Sequence, residues 1–299
     1  MSAPESVRLS VVHSVPLVRS PHVRFESFGC CIYCGKSPPE AELTDEHIIP
    51  DGIGGNLVLT EGSCRGCARA LHRFESAVIN RHFGLARYAL GIKSKKRRGK
   101  SKKGHPGTYK LTSREGEPLE VPTGPSMPQV IFAGHFNQPA SLLTGVDQSN
   151  GKAAFSLGIR NVTAPKGQRY GPSVRPPGPV RVDYFTRFVA KVAHSYAVAA
   201  LGYGTFIPFL PRYIDGSDDS LGVKLIGIRP SDVILEGSLH RVAASVEDRA
   251  VYPLPMLPPS NRRLVLVYLD LFLGYDLPTY EVVVGEVPMA RHADAFLPS

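Results

Sequence analysis

The sequence predicts an α+β protein: a small zinc-stapled ββα unit followed by a mostly antiparallel β domain with one long helix. Three observations predict it. Two Cys-x-x-Cys pairs, Cys31 with Cys34 and Cys64 with Cys67, bracket a segment that carries Glu46 and His47. Apolar residues recur at three- and four-residue spacing between Val182 and Leu201, which is the period of an amphipathic helix. Around that helix, short runs of β-branched residues separated by turn residues read as strands.

The first element is the metal frame. A Cys-x-x-Cys turn points two thiolates the same way, and Gly35 after Cys34 lets backbone N–H groups approach the sulfur. Two such knuckles, with 29 residues between them, supply the four soft ligands that Zn²⁺ prefers. Two disulfides would use the same residues. However, Met1–Val23 has neither a continuous apolar core nor a small-residue cleavage site, which argues against an exported, oxidising destination and for the cytoplasm. Cys30 is an alternative to Cys31, which has the better spacing.

Between the knuckles, Leu43–Ile49 reads as a strand ending at Pro50. Gly52, Gly54 and Gly55 form a loop, and Asn56–Leu59 returns as a second strand. From Cys64 onward Leu71, Phe74 and Val78 follow helical spacing, with Ala70 and Ala77 favouring a helix. A unit this small needs a staple. The chain divides into an extension (1–24), the zinc unit (25–92), a basic linker (93–107) and a C-terminal α+β domain (108–299).

Together, Cys-x-x-Cys-Gly, Asp45-Glu46-His47-Ile-Ile-Pro50, Gly54-Gly55 and a Cys-x-x-Cys that opens a helix resemble the HNH endonucleases, the zinc-knuckle branch of the ββα-metal nucleases. The resemblance covers residues 28–84, under a third of the chain. It implies that His47 is the general base that activates water and that Glu46 binds a catalytic divalent ion. The family usually has His or Asn directly after the second knuckle, where this chain has Ala68. His72, one helical turn on, is then the expected further ligand, with Glu75 as a supporting carboxylate. Asn56 corresponds loosely to the family's middle Asn. The implied function is metal-dependent hydrolysis of phosphodiester bonds in nucleic acid, DNA ahead of RNA.

The residue types suit that chemistry. A histidine with a pKa near the usual ~6.5 accepts a proton at neutral pH. A neighbouring carboxylate favours Mg²⁺ or Mn²⁺, and a Glu-plus-His site also admits Zn²⁺ or Ni²⁺. Net charge is +9, but Lys93, Lys95, Lys96, Arg97, Arg98, Lys100, Lys102 and Lys103 supply eight of those charges in one acid-free run. Such a run binds phosphate backbone by counterion release, and it reads equally as a solvated linker. Two competing readings remain: a catalytically inactive zinc module that binds nucleic acid, and a structural interaction protein merely stapled by zinc.

In the C-terminal half, Phe185, Phe188, Val189, Val192, Tyr196 and Ala199 share one helical face, and Gly202 and Gly204 end the helix. Strands are expected at Gln129–Ala133, Ala153–Ile159, Val223–Ile228, Leu239–Val246, Leu264–Leu273 and Tyr280–Val287. Residues 164–179, rich in Pro and Gly, read as a break. His194 and His240 read as ordinary packed residues, and period two places Asp270 toward solvent. No apolar run reaches transmembrane length.

Overall fold

The computed structural model describes residues 9–18, 20–90, 92, 108–112, 118–122, 130–136, 139–146, 155–161, 181–230, 235–252, 260–273 and 277–288. The basic run 93–103 and the break at 164–179 lie outside the described residues. In chain order the strands β1 (Leu9–Pro16), β2 (Val23–Phe25), β3 (Leu43–His47) and β4 (Leu57–Cys64) lead into α1 (Arg65–Ala77), a π-helical turn (Val78–His82) and α2 (Gly84–Ala89). Then come β5 (Thr108–Thr112), β6 (Pro118–Pro122), β7 (Val130–Phe136), α3 (Ser141–Thr144), β8 (Phe155–Asn161) and α4 (Val182–Leu201). The chain continues with β9 (Ile207–Pro208), α5 (Pro211–Ile214), α6 (Leu221–Leu225), β10 (Ile226–Arg229), β11 (Ser238–Val251), β12 (Ser260–Leu271) and β13 (Thr279–Glu286).

The ββα unit is built from β3 antiparallel to β4, followed directly by α1, with β2 added parallel to the other edge of β4. Its glycine loop is forced by sterics. Gly54 sits at φ 91°, and a Cβ on Gly55 would lie 1.9 Å from the Ile49 carbonyl oxygen. That approach folds the loop back against the end of β3. Antiparallel pairs β5–β6 and β7–β8 follow.

The C-terminal sheet has the order β1-β11-β12-β13-β10, with β9 also pairing β13, and every pairing is antiparallel. Residues of the N-terminal extension form β1, an edge strand in register with β11 from Leu9 opposite Val246 to Val15 opposite His240. The expected strand Val223–Ile228 is half helix: Leu221–Leu225 forms α6, and only Ile226 onward enters the sheet. An apolar run that short carries no decisive period, and packing of α6 beside α3 settles it as helix. The other expected strands all occur, shifted by a few residues at their ends.

Helix α4 has the expected bounds and lies between the two halves. Apart from Arg187, all its residues from Phe185 to Val198 are buried, because one side packs on β11, β12 and β13 and another on α1. Ile48, Leu71 and Phe74 of the zinc unit join Phe188, Val192, Val267 and Tyr280 in one continuous hydrophobic cluster. Asp270 corrects the expectation of solvent exposure. It is buried, receives a hydrogen bond from Arg241 Nε at 2.7 Å and is bonded by the Thr279 hydroxyl. Among the described residues, no helix is long and apolar enough to cross a membrane.

Candidate functional site

The knuckles form where local backbone constraints direct them. Gly35, at φ 73°, donates its N–H to the Cys31 carbonyl, and Cys31 N–H bonds the Lys36 carbonyl, closing a tight turn around Cys31 and Cys34. Cys64 ends β4 and caps α1, its sulfur accepting the Cys67 N–H at 3.4 Å. The sulfurs of Cys31, Cys34, Cys64 and Cys67 all lie within 4.8 Å of one another, and those of Cys34 and Cys64 are 3.8 Å apart. A tetrahedron with Zn–S bonds of about 2.3 Å has edges of about 3.8 Å. These four sulfurs can hold a structural zinc ion; Cys30 is not one of the group, and none of the cysteines is in a disulfide.

Crowding leaves a charge signature. A hydrogen bond with Cys67 is the main reason that the Cys31 thiol falls to about 4. The same interaction drives the Cys67 thiol strongly upward. One negative charge is shared, and further deprotonation calls for a cation.

The second centre is built around Glu46 and His47 of β3. A bulge at Asp45 breaks the register between Thr44 and Glu46, and Asp45 turns out to Arg24 at 2.8 Å. Glu46 is buried and faces α1 and α4 across a cavity of about 110 Å³ that His47, Ala68 and Glu75 also border. Residues 68, 71 and 75 share a helical face, so Glu75 comes to the cavity and His72 does not line it. His72 is exposed, and its ring hydrogen-bonds the Ser76 hydroxyl at 3.0 Å on its own helix. Of the three expected catalytic residues, Glu46 and His47 border one cavity, and Glu75 stands where His72 was expected.

The centre already contains a cation. Lys191 of α4 places its ammonium 2.6 Å from Glu46 Oε1 and 2.9 Å from Glu75 Oε1, and donates also to the His47 carbonyl. Burial pulls the Lys191 pKa down, but the two carboxylates outweigh it and hold the group above its ordinary range. The Glu75 carboxyl is pushed up because burial exceeds the attraction of Lys191, with Glu46 adding repulsion. Two carboxylates thus share one ammonium.

Further contacts frame His47. Its ring lies edge-on to His22, with centroids 5.4 Å apart. Asn56 holds the segment bearing His22: its side-chain amide donates to Ser20 Oγ at 2.7 Å and its carbonyl accepts the Val23 N–H at 2.8 Å. Two histidines of the C-terminal half tie down the zinc unit. His194 Nε2 donates to the Ile32 carbonyl beside the first knuckle, and His240 Nε2 to the Ile53 carbonyl in the glycine loop, both at 2.9 Å.

Two Cys-x-x-Cys knuckles, a strand carrying Glu-His, a glycine loop, a return strand and a helix opened by Cys-x-x-Cys lie in one short segment. Residues 31–83 match the HNH endonuclease family. No curated protein and no solved structure matches the chain.

The HNH-type unit suits a second, divalent ion in its donor chemistry. Glu46 and Glu75 converge from β3 and α1 on one position, and the Lys191 ammonium is a stand-in showing that this position favours a cation. Sequence reasoning missed Glu75 as a direct partner, although its spacing from Ala68 and Leu71 marks the face. It missed Lys191 and His22 altogether, since neither lies in the motif.

Proposed function

We propose that the protein acts on nucleic acid and hydrolyses phosphodiester bonds at the cavity between β3 and α1, with DNA the preferred substrate. The observation that supports this reading is the convergence of Glu46 and Glu75 on a single cation position that His47 borders. His47 acts as general base, taking the proton of the attacking water. Glu46 and Glu75 would hold Mg²⁺ or Mn²⁺, which when bound supplies positive charge to the scissile phosphate and the leaving oxygen. His72, exposed on α1 three residues before Glu75, would meet the phosphate backbone rather than the ion. The basic run at 93–103 adds salt-sensitive, sequence-independent affinity.

Plasmid and single-stranded RNA cleavage in Mg²⁺, Mn²⁺ and Ni²⁺ tests this. Wild type cuts in at least one metal, and His47→Ala abolishes cleavage while retaining zinc and nucleic-acid binding. The second reading, a binding module without hydrolysis, is favoured by the ammonium already in the cation position. Binding by wild type without cleavage in any metal would establish it.

A further inference from the structure

Lys191 has no part in the HNH motif, and its chemistry is unusual. It is the lysine of α4, 1% exposed, and its ammonium has three hydrogens to place. Four acceptors crowd around them: Glu46 Oε1 at 2.6 Å and Glu75 Oε1 at 2.9 Å as ion pairs, and the His47 carbonyl and the Ile48 carbonyl, the latter at 3.3 Å, as hydrogen-bond acceptors. A lysine buried for packing alone would need one counter-charge. This one is given two carboxylates and the backbone of the Glu-His strand.

A divalent ion using the same oxygens would sit about 2.1 Å from each. On the side of these oxygens where the ammonium sits, 2.6 and 2.9 Å from them, such an ion would fall inside the ammonium's volume, so the two cations compete for that position. When both carboxylates are ionised, they outnumber the one ammonium and the pocket carries a negative charge that attracts cations. Because α4 is buried on several sides, Lys191 is delivered by the C-terminal half and not by the unit whose centre it fills.

We propose that Lys191 is the resident cation of the HNH-type centre and competes with divalent ions for the Glu46–Glu75 pair, so that an ion binds there only when the ammonium is displaced. The inference rests on reading that pair as the cation site. Its readout is ion binding and not cleavage, so loss of the nuclease reading would leave it standing.

The test titrates Mn²⁺ into the zinc-loaded full chain, following free ion by electron paramagnetic resonance. Lys191→Met should bind one Mn²⁺ about tenfold or more tightly than wild type. Adding Glu75→Gln to Lys191→Met should abolish that binding. Mn²⁺ should raise the melting temperature of Lys191→Met and leave wild type unmoved. Equal affinity in wild type and Lys191→Met overturns the proposal, as does Lys191→Met that binds no more Mn²⁺ than the double variant. Removing the ammonium leaves two buried carboxylates facing each other, so the variant is purified with and without Mn²⁺. Folding rescued by Mn²⁺ supports the proposal, and failure to fold with millimolar Mn²⁺ counts against it. Wild type provides an independent check: micromolar Mn²⁺ that broadens the His47 ring resonances shows open access to the pair and refutes competition.

Discussion

The zinc-bracketed unit and the α4–sheet half stabilise themselves in opposite ways. In the unit, thirteen-residue α1 buries only Leu71 and Phe74, and the four sulfurs gather where they can hold a structural zinc ion. In the other half, α4 is buried from Phe185 to Val198, apart from Arg187, against strands whose inward positions are nearly all apolar. The unit carries polar groups at its centre where α4 packs against it, and its own buried residues join the cluster that α4 and the sheet build. The candidate site sits on the thin unit, and the thick one packs against it.

The sharpest way to break that comparison is to remove the staple. Cys31→Ser, or chelation, should cost a large share of an apparent zinc-coupled folding energy on the order of 10–16 kcal/mol. Hydrogen exchange should then show 31–83 losing protection while β12 and β13 keep theirs. Equal loss in both regions would show that the two halves fold as one.

Attacking the thick half gives the next effect. Phe188, fully buried on α4, contacts Phe83 at 5.9 Å between centroids. Phe188→Ala should destabilise by about 3–5 kcal/mol through lost burial and a residual cavity. Since α4 also carries Lys191 and His194, protection in the zinc unit should fall in the same experiment. An unaffected unit would mean that the staple alone sustains it.

Acid probes the tether between the halves. Burial lowers His240 to about 4, and its neutral form is needed because Nδ1 accepts the Phe272 N–H at 3.1 Å while Nε2 donates to Ile53. The folded pKa lies below the unfolded value near 6.5, so the unfolded chain binds the extra proton between them. Stability is therefore complete above about pH 6.5 and falls by about 3 kcal/mol as pH drops to about 4. Comparing denaturant melts across this range for wild type and His240→Gln isolates the effect, and identical pH slopes would remove His240 as its cause.

The smallest expected effect concerns the edge of the site. Asn56→Ala removes the hydrogen bonds to Ser20 and Pro21 and should cost about 1 kcal/mol. The His22 ring signals should shift more than those of any knuckle residue. Unchanged His22 signals would show that the parallel β2–β4 pairing suffices to hold that segment.

Much of the fold was legible because its signals are local. Cys-x-x-Cys-Gly specifies a turn within five residues, and the apolar period of α4 with Gly202 behind it specifies both ends of a helix. The Glu-His strand, the glycine loop and α1 were legible for the same reason. What remained hidden depends on partners far away in the chain. Pairing of β1 with β11 joins residues more than two hundred positions apart, and no feature of Leu9–Pro16 names its partner. Asp270 was misjudged because alternation along one strand cannot reveal Arg241 and Thr279 on its neighbours.

The same division runs through the site. Sequence alone determined the four sulfurs, the Glu46–His47 pair and the gap at Ala68, since each is a spacing within one short segment. Only the tertiary structure decided that Glu75 and not His72 faces Glu46, and that the cation between the carboxylates is Lys191, 145 positions beyond Glu46. A buried ammonium costs too much without counter-charges, and only the packing of α4 against α1 determines which carboxylates meet it.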